Sequence, residues 1–484
     1  MSTKSSSLMK LLLVAAISFL ASISFVTAVE IAYRISAHPL TSLMMRLVLF
    51  GLLLIPLILR NKEIVIFYFL LSMPFMRIAF SGISLLTIYA VLLMILYRKE
   101  VSNFIRQKQN IFAKPFMLIF FIMTYTTLLA HHRMDAVRWV VFFLSLAAVY
   151  YVLASYMNSD EKIKKVLFAL MPVIVFAVMI SLGQLLFGIN SIKFFFGEYN
   201  PNTNIYGIAS RIPSFFSDAQ EAGLFYATAS FLILGLISMI KKGRIFLYMI
   251  LIGVLFCLLL TITRIAVLGL LAGWAVVSLR NFSFCRSVIL GLLLTFGLFT
   301  GGLIYQKTLP GPIKERLSKH SREKGFDFRY KLWRESLPIA ATNLLGVGLG
   351  GQNLYAAGLK NNVYFPPVLR ENLAARQYTH FENSYLDLLY SLGFAGVGAF
   401  LFLLTQYFIA ARGVTSRSHR GNLFSFYLTG GMVAWLFCAS TSPQFSNAQA
   451  MIIFVLLLAF VSARQNPPEK TKRQIGNLSQ KRPR

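Results

Sequence analysis

The chain has 484 residues, 57% of them apolar and only 13% charged, with a mean hydropathy of +0.67. That composition excludes a soluble globular domain and requires a multi-spanning membrane protein. A net charge of +30 would point to nucleic acid in a soluble chain. Here most of it lies in loops and the tail beside a bilayer, so anionic lipid headgroups are the expected partner and no nucleic acid is.

The spans must be helices, because hydrocarbon offers no partner to free backbone groups and the apolar runs are far longer than barrel strands. Windows of about 17–25 apolar residues give about fourteen spans. They begin near Leu11, Leu43, Ile64, Leu85, Phe116, Trp139, Val166, Ala222, Phe246, Ile265, Val288, Ser384, Phe424 and Ala450. Two pairs are short, so the expected fold is all-α and polytopic, with about 12–14 transmembrane helices and an even number of crossings. The first stretch follows Lys4 and Lys10 and ends in small residues. A cleavable signal would look similar, but the spans that follow favour an uncleaved helix.

Every second junction is basic: Arg60 and Lys62, then Arg98, Lys99, Arg106 and Lys108, then Lys162, Lys164 and Lys165. The series continues with Lys241, Lys242 and Arg244, with Arg280 and Arg286, and with Arg412, Arg417 and Arg420. The intervening junctions carry less charge, His131, His132 and Arg133 being the main exception; these adjacent histidines share no helix face and no metal is assigned to them. The positive-inside rule then puts both termini in the cytoplasm. Two outer segments are long, 188–221 and 306–382. Residues 1–464 form one membrane domain, and 465–484 a basic cytoplasmic tail with the composition of a disordered segment. Cys257, Cys285 and Cys438 lie in or beside spans, at spacings that fit neither a metal site nor a disulfide framework.

Arg211, Arg264 and His380 each precede a return into an apolar span on the outer face, where short basic segments are disfavoured. Cations at such points indicate an anionic ligand. Arg211 fits a bidentate phosphate ligand, each charge-assisted bond worth about 1.5–3 kcal/mol, and it equally fits an interfacial arginine reaching lipid headgroups. Thr263 is a good N-cap, which places Arg264 in a first helical turn. A cation there opposes the helix dipole by about 0.3–1 kcal/mol, and a bound anion would explain it better than a plain interfacial turn.

At His380 a helix N-terminus and nearby arginines favour the neutral imidazole. That form can accept or orient a hydroxyl proton; a loop histidine bonded to backbone is the other reading. Glu382 is an alternative base, or simply an acid favoured near a helix start. Asp218 and Glu221 have capping-box spacing. The spans opening near Ala222, Ile265 and Ser384 all run inward, so three positive helix ends would face the outer surface beside these cations. Gly346, Gly348 and Gly350 are followed by no Gly-Lys-Ser/Thr, so a tight turn is expected there and not a nucleotide loop. Residues 312–324 are basic and 329–337 amphipathic, as for a segment lying on the membrane surface or docking a lipid.

The order of these motifs resembles the bacterial O-antigen ligase and polymerase superfamily over residues 205–400. The features that carry it are Arg211-Ile-Pro-Ser-Phe-Phe-Ser-Asp218, Thr261-Ile-Thr-Arg264, Arg329 with Trp333, the Gly346/Gly348/Gly350 turn, and His380 with Asn383-Ser-Tyr385-Leu386. Phe381 and Glu382 stand between His380 and Asn383, which are adjacent in the family pattern. The resemblance implies a GT-C-like membrane glycosyltransferase with a large periplasmic loop at 306–382, inverting and independent of metal and of any cofactor. Its substrates would be a glycan on undecaprenyl diphosphate and, as acceptor, lipid A-core or a growing glycan, in the bacterial inner membrane. It further implies Arg211, Arg264 and Arg329 on the diphosphate, His380 or Glu382 as base, and Asn383 and Tyr385 orienting sugar hydroxyls, although helix capping accounts for Asn383 equally well. A ligase, a polymerase and a protein-glycosylating enzyme share these motifs. A transporter would instead place ionisable residues in mid-span and show repeated halves, and neither is found in the sequence.

Overall fold

The computed structural model describes residues 62–188, 211–280 and 381–465 with short gaps, and parts of 330–353. The spans predicted near Leu11, Leu43 and Val288, the candidates Arg329 and His380, and the tail lie outside the described residues.

The other eleven predicted starts all fall on helices, and the architecture is all-α. In chain order these are α1 (Lys62–Leu71), α2 (Leu85–Leu96), α3 (Arg98–Arg106), α4 (Ala113–Leu129), α5 (Arg133–Tyr156) and α6 (Asp160–Phe187). There follow α7 (Ala219–Met239), α8 (Arg244–Leu260), α9 (Arg264–Arg280), α10 (Ser384–Gly413), α11 (His419–Ala439) and α12 (Ala448–Gln465). Five of them, α5, α6, α7, α10 and α12, are long and apolar enough to cross a membrane. A two-residue antiparallel pairing, Ala79–Phe80 with Ile83–Ser84, precedes α2, whose first turn Ser84 caps.

Two departures from hydropathy have local causes. α3 is a short surface helix formed within one of the basic junctions; it buries Val101 and Phe104 and exposes Arg98, Lys99 and Arg106. α1 ends after ten residues at a 3-10 turn containing Pro74, which cannot continue the helical ladder. Gln449, buried at the start of α12, donates to the Pro74 carbonyl at 3.0 Å and so satisfies a group the break releases.

α7 is the central helix. Of its apolar window 94% is buried inside the protein, against 39% for α5, which turns Val137, Val141 and Leu144 outward. Close packing around α7 depends on small residues: a Cβ on Gly273 of α9 or on Gly430 of α11 would strike the Phe231 ring that packs against both.

The two ends of the bundle differ. At one, Lys62 pairs with Glu100 at 2.8 Å, Lys165 with Glu63 at 3.0 Å and Arg464 with Asp160 at 2.9 Å, while Gln465 donates to the Ala410 carbonyl. These contacts gather junctions that the charge alternation assigned to one side. The opposite end carries the turns that precede α5, α7, α9, α10 and α12, and with them the described candidate residues.

Candidate active site

The segment leading into α7 is fixed from below. Ser214 takes a left-handed conformation, φ 57°, and exchanges two hydrogen bonds with the Gln184 amide: its N–H donates at 2.9 Å and its carbonyl accepts at 2.8 Å. Its hydroxyl donates to the Ala177 carbonyl, and Phe215 and Phe216 stack in the core with centroids 4.3 Å apart. Asp218 caps α7 by accepting from the Gln220 N–H, while Glu221 accepts from the Ser217 hydroxyl.

On this base Arg211 is buried, 9% exposed. Its Nε donates to the Thr261 carbonyl at 3.1 Å and Nη2 to Thr263 Oγ1 at 2.9 Å; Nη1 stands 3.9 Å from Asp218. The Thr263 hydroxyl donates to the Ala219 carbonyl at 3.0 Å. The hydroxyl expected to cap α9 thus links α7, α9 and Arg211 instead. Between the two threonines Ile262 is left-handed, φ 51°, an outlier for a β-branched residue. Arg264 follows in the first turn of α9 and is exposed.

The start of α10 is built in the same manner. Glu382 is left-handed, φ 54°, and Asn383 caps the helix by accepting from the N–H groups of Tyr385 and Leu386. Ser384 donates to the Ser442 carbonyl and accepts from the Gln444 N–H, both at 2.7 Å. Tyr385 donates to the Leu436 carbonyl at 2.6 Å. Asn383 thus caps α10, the alternative reading of that residue, and Tyr385 anchors the helix on α11. Phe381 is buried, its N–H donating to Asp387 Oδ1 at 2.7 Å and its carbonyl accepting from Trp333 Nε1 at 3.2 Å.

The glycine-rich stretch forms a turn, with φ of +84°, +92° and +106° at Gly346, Gly348 and Gly350. It inserts into α10 where Gly393, φ 67° and ψ −170°, breaks the helix. Val347 and Gly348 donate to the carbonyls of Tyr390 and Ser391, and Phe394 donates to that of Leu344. On its other side the turn meets the α4–α5 connection: buried Asn353 accepts from the His132 N–H at 2.6 Å and donates to the carbonyls of His132 and Leu349.

Gln184, Asn353 and Asp387 escaped the sequence reading. A solitary amide inside the apolar run of α6 was the available sign for Gln184; the other two carry none.

Among the described residues, the only non-glycine residues with positive φ are Ser214, Ile262 and Glu382. One lies three residues after Arg211, one two before Arg264, and the third is itself a candidate. Such conformations cost about 1–3 kcal/mol each and cluster at functional sites. The structure joins Arg211 to the turn that bears Arg264. The last turns of α11 meet both Gly269 of α9 and Tyr385 at the start of α10.

Fold and charge placement define a polytopic helical membrane protein whose candidate site lies at the end opposite its basic junctions. Residues 247–401, about a third of the chain, match the family model described as O-antigen ligase, which supports membership of the O-antigen ligase and polymerase superfamily. The match includes Arg264, Glu382, Asn383 and Tyr385, and leaves Arg211 upstream. No curated protein matches the chain significantly.

Proposed function

We propose that the protein is a bacterial inner-membrane glycosyltransferase of O-antigen ligase type. It transfers a preassembled polysaccharide from undecaprenyl diphosphate to lipid A-core, with its site on the periplasmic face and both termini cytoplasmic. The observation that carries this reading is the exposed Arg264 at the N-terminus of α9, on a strained turn held by buried Arg211, inside the O-antigen ligase domain. A helix N-terminus bearing a guanidinium is suited to a diphosphate.

In the proposed reaction Arg264, with Arg211 behind it and Arg329 from the outer segment, offsets the charge of the departing undecaprenyl diphosphate. An acceptor hydroxyl attacks the anomeric carbon of the first sugar from the face opposite the leaving group. The C–O bond to phosphate breaks with its electron pair leaving on the carrier, and the hydroxyl proton passes to His380 or Glu382. Configuration inverts, and neither metal nor cofactor takes part.

The test is to supply purified protein in liposomes with glycan-diphosphate-undecaprenol and lipid A-core. Glycan on lipid A-core is the expected product. Longer chains on the carrier would make the enzyme a polymerase of the same superfamily, and glycolipid moved across the bilayer without transfer would make it a transporter.

A further inference from the structure

Phe381 is one of the two residues that separate His380 from Asn383, and it is held through both its ring and its backbone. Its ring is buried and packs edge-on against Tyr390, centroids 5.3 Å apart. Its N–H is taken by the Asp387 carboxylate at 2.7 Å and its carbonyl by the Trp333 indole at 3.2 Å. The next residue, Glu382, is left-handed, a conformation that a non-glycine residue keeps only where its surroundings over-determine it. We infer that Asp387 and Trp333 are positioning residues that grip the Phe381 backbone from both sides and thereby set where the Glu382 carboxylate points. The inference rests on the transferase reading above.

The geometry supports this over an ordinary helix cap. Asn383 already caps α10 by accepting two N–H groups, so Asp387 is not needed for that purpose. Asp387 instead reaches back six residues, beyond the cap, to the residue before Glu382. Trp333 comes from the outer segment, 48 residues upstream, so the grip also couples that segment to the start of α10. The interaction required of Asp387 is that of an acceptor oxygen, which an asparagine Oδ1 also provides.

The test compares Asp387→Asn, Asp387→Ala and Trp333→Phe in the liposome transfer assay, with amide exchange measured on peptides spanning Phe381. D387A and W333F should lower kcat by about tenfold or more, the scale expected of a misplaced reacting group. KM for the glycolipid should stay within about twofold, since ground-state binding is untouched. D387N should keep kcat within about threefold, its amide oxygen still accepting from Phe381. Amide exchange around Phe381 should rise in D387A and remain slow in D387N.

D387N as inactive as D387A, with slow exchange retained, would overturn the inference by showing that the carboxylate charge itself acts. Unchanged kcat in D387A or W333F would overturn it equally. If D387A does not insert, W333F and D387N decide. A wild-type protein that transfers no glycan refutes the transferase reading, and the exchange measurement then stands alone: an unprotected Phe381 amide in the wild type would refute the grip.

Discussion

Gly346 and Gly393 face each other so closely that a Cβ on either would strike the backbone beside the other, residues 391–393 in one direction and 344–346 in the reverse. Both also have positive φ, +84° and +67°. Alanine at either position meets left-handed strain and overpacking at once, so G346A and G393A should each lose about 2–5 kcal/mol. Gly398, further along the same helix, has open space around it, and G398A should be neutral or stabilising by up to about 1 kcal/mol. Thermal unfolding of the three variants in one detergent checks this.

Arg211 and Arg264 should respond differently to removal. R211A leaves the Thr261 carbonyl and Thr263 hydroxyl without their guanidinium and should lower stability by about 1–3 kcal/mol as well as transfer. R211K should recover only part, because an ammonium cannot span both acceptors as a fork does. R264A, at an exposed position, should leave the melting temperature within about one degree and act on transfer alone.

Asn353 ties the glycine turn to His132 through both donor and acceptor. N353A should cost about 1–3 kcal/mol by leaving buried backbone groups unpaired. N353D should fare no better, since a carboxylate cannot donate to the two carbonyls. Limited proteolysis of the outer segment, compared with wild type, would report the loss.

At the basic end, burial raises the Glu100 carboxyl, but the hydrogen bond and charge of Lys62 outweigh it and hold the group below the ordinary carboxylate range. A depressed folded-state pKa stabilises above the unfolded value, about 4.3, and the gain vanishes as pH falls through the folded one. Both partners are more than a third exposed, so the gain is under about 1 kcal/mol. The difference in melting temperature between wild type and E100Q should therefore be small at neutral pH and disappear once the pH falls below the depressed folded-state value.

Hydropathy located the helices because a long apolar run has few other fates in a membrane protein. Charge alternation put the described candidates at one end because junction sign is a local property. It could not show the break at Gly393, which lies inside an apolar run and is completed by the distant turn at Gly346. Capping at Asp218 was legible because its partner is two residues away. The role of Thr263 was not, because its partners Arg211 and Ala219 come from distant chain. Asn353 and Asp387 read as ordinary polar residues until the backbone groups they satisfy are placed beside them.

The central claim is that Arg264 engages the diphosphate of a lipid-linked glycan. The most direct measurement is transfer from glycan-diphosphate-undecaprenol to lipid A-core by wild type and R264A at matched membrane expression. Loss of about two orders of magnitude in kcat/KM, equal to about 2.7 kcal/mol of transition-state stabilisation, is the predicted result. Wild-type transfer by R264A would contradict it.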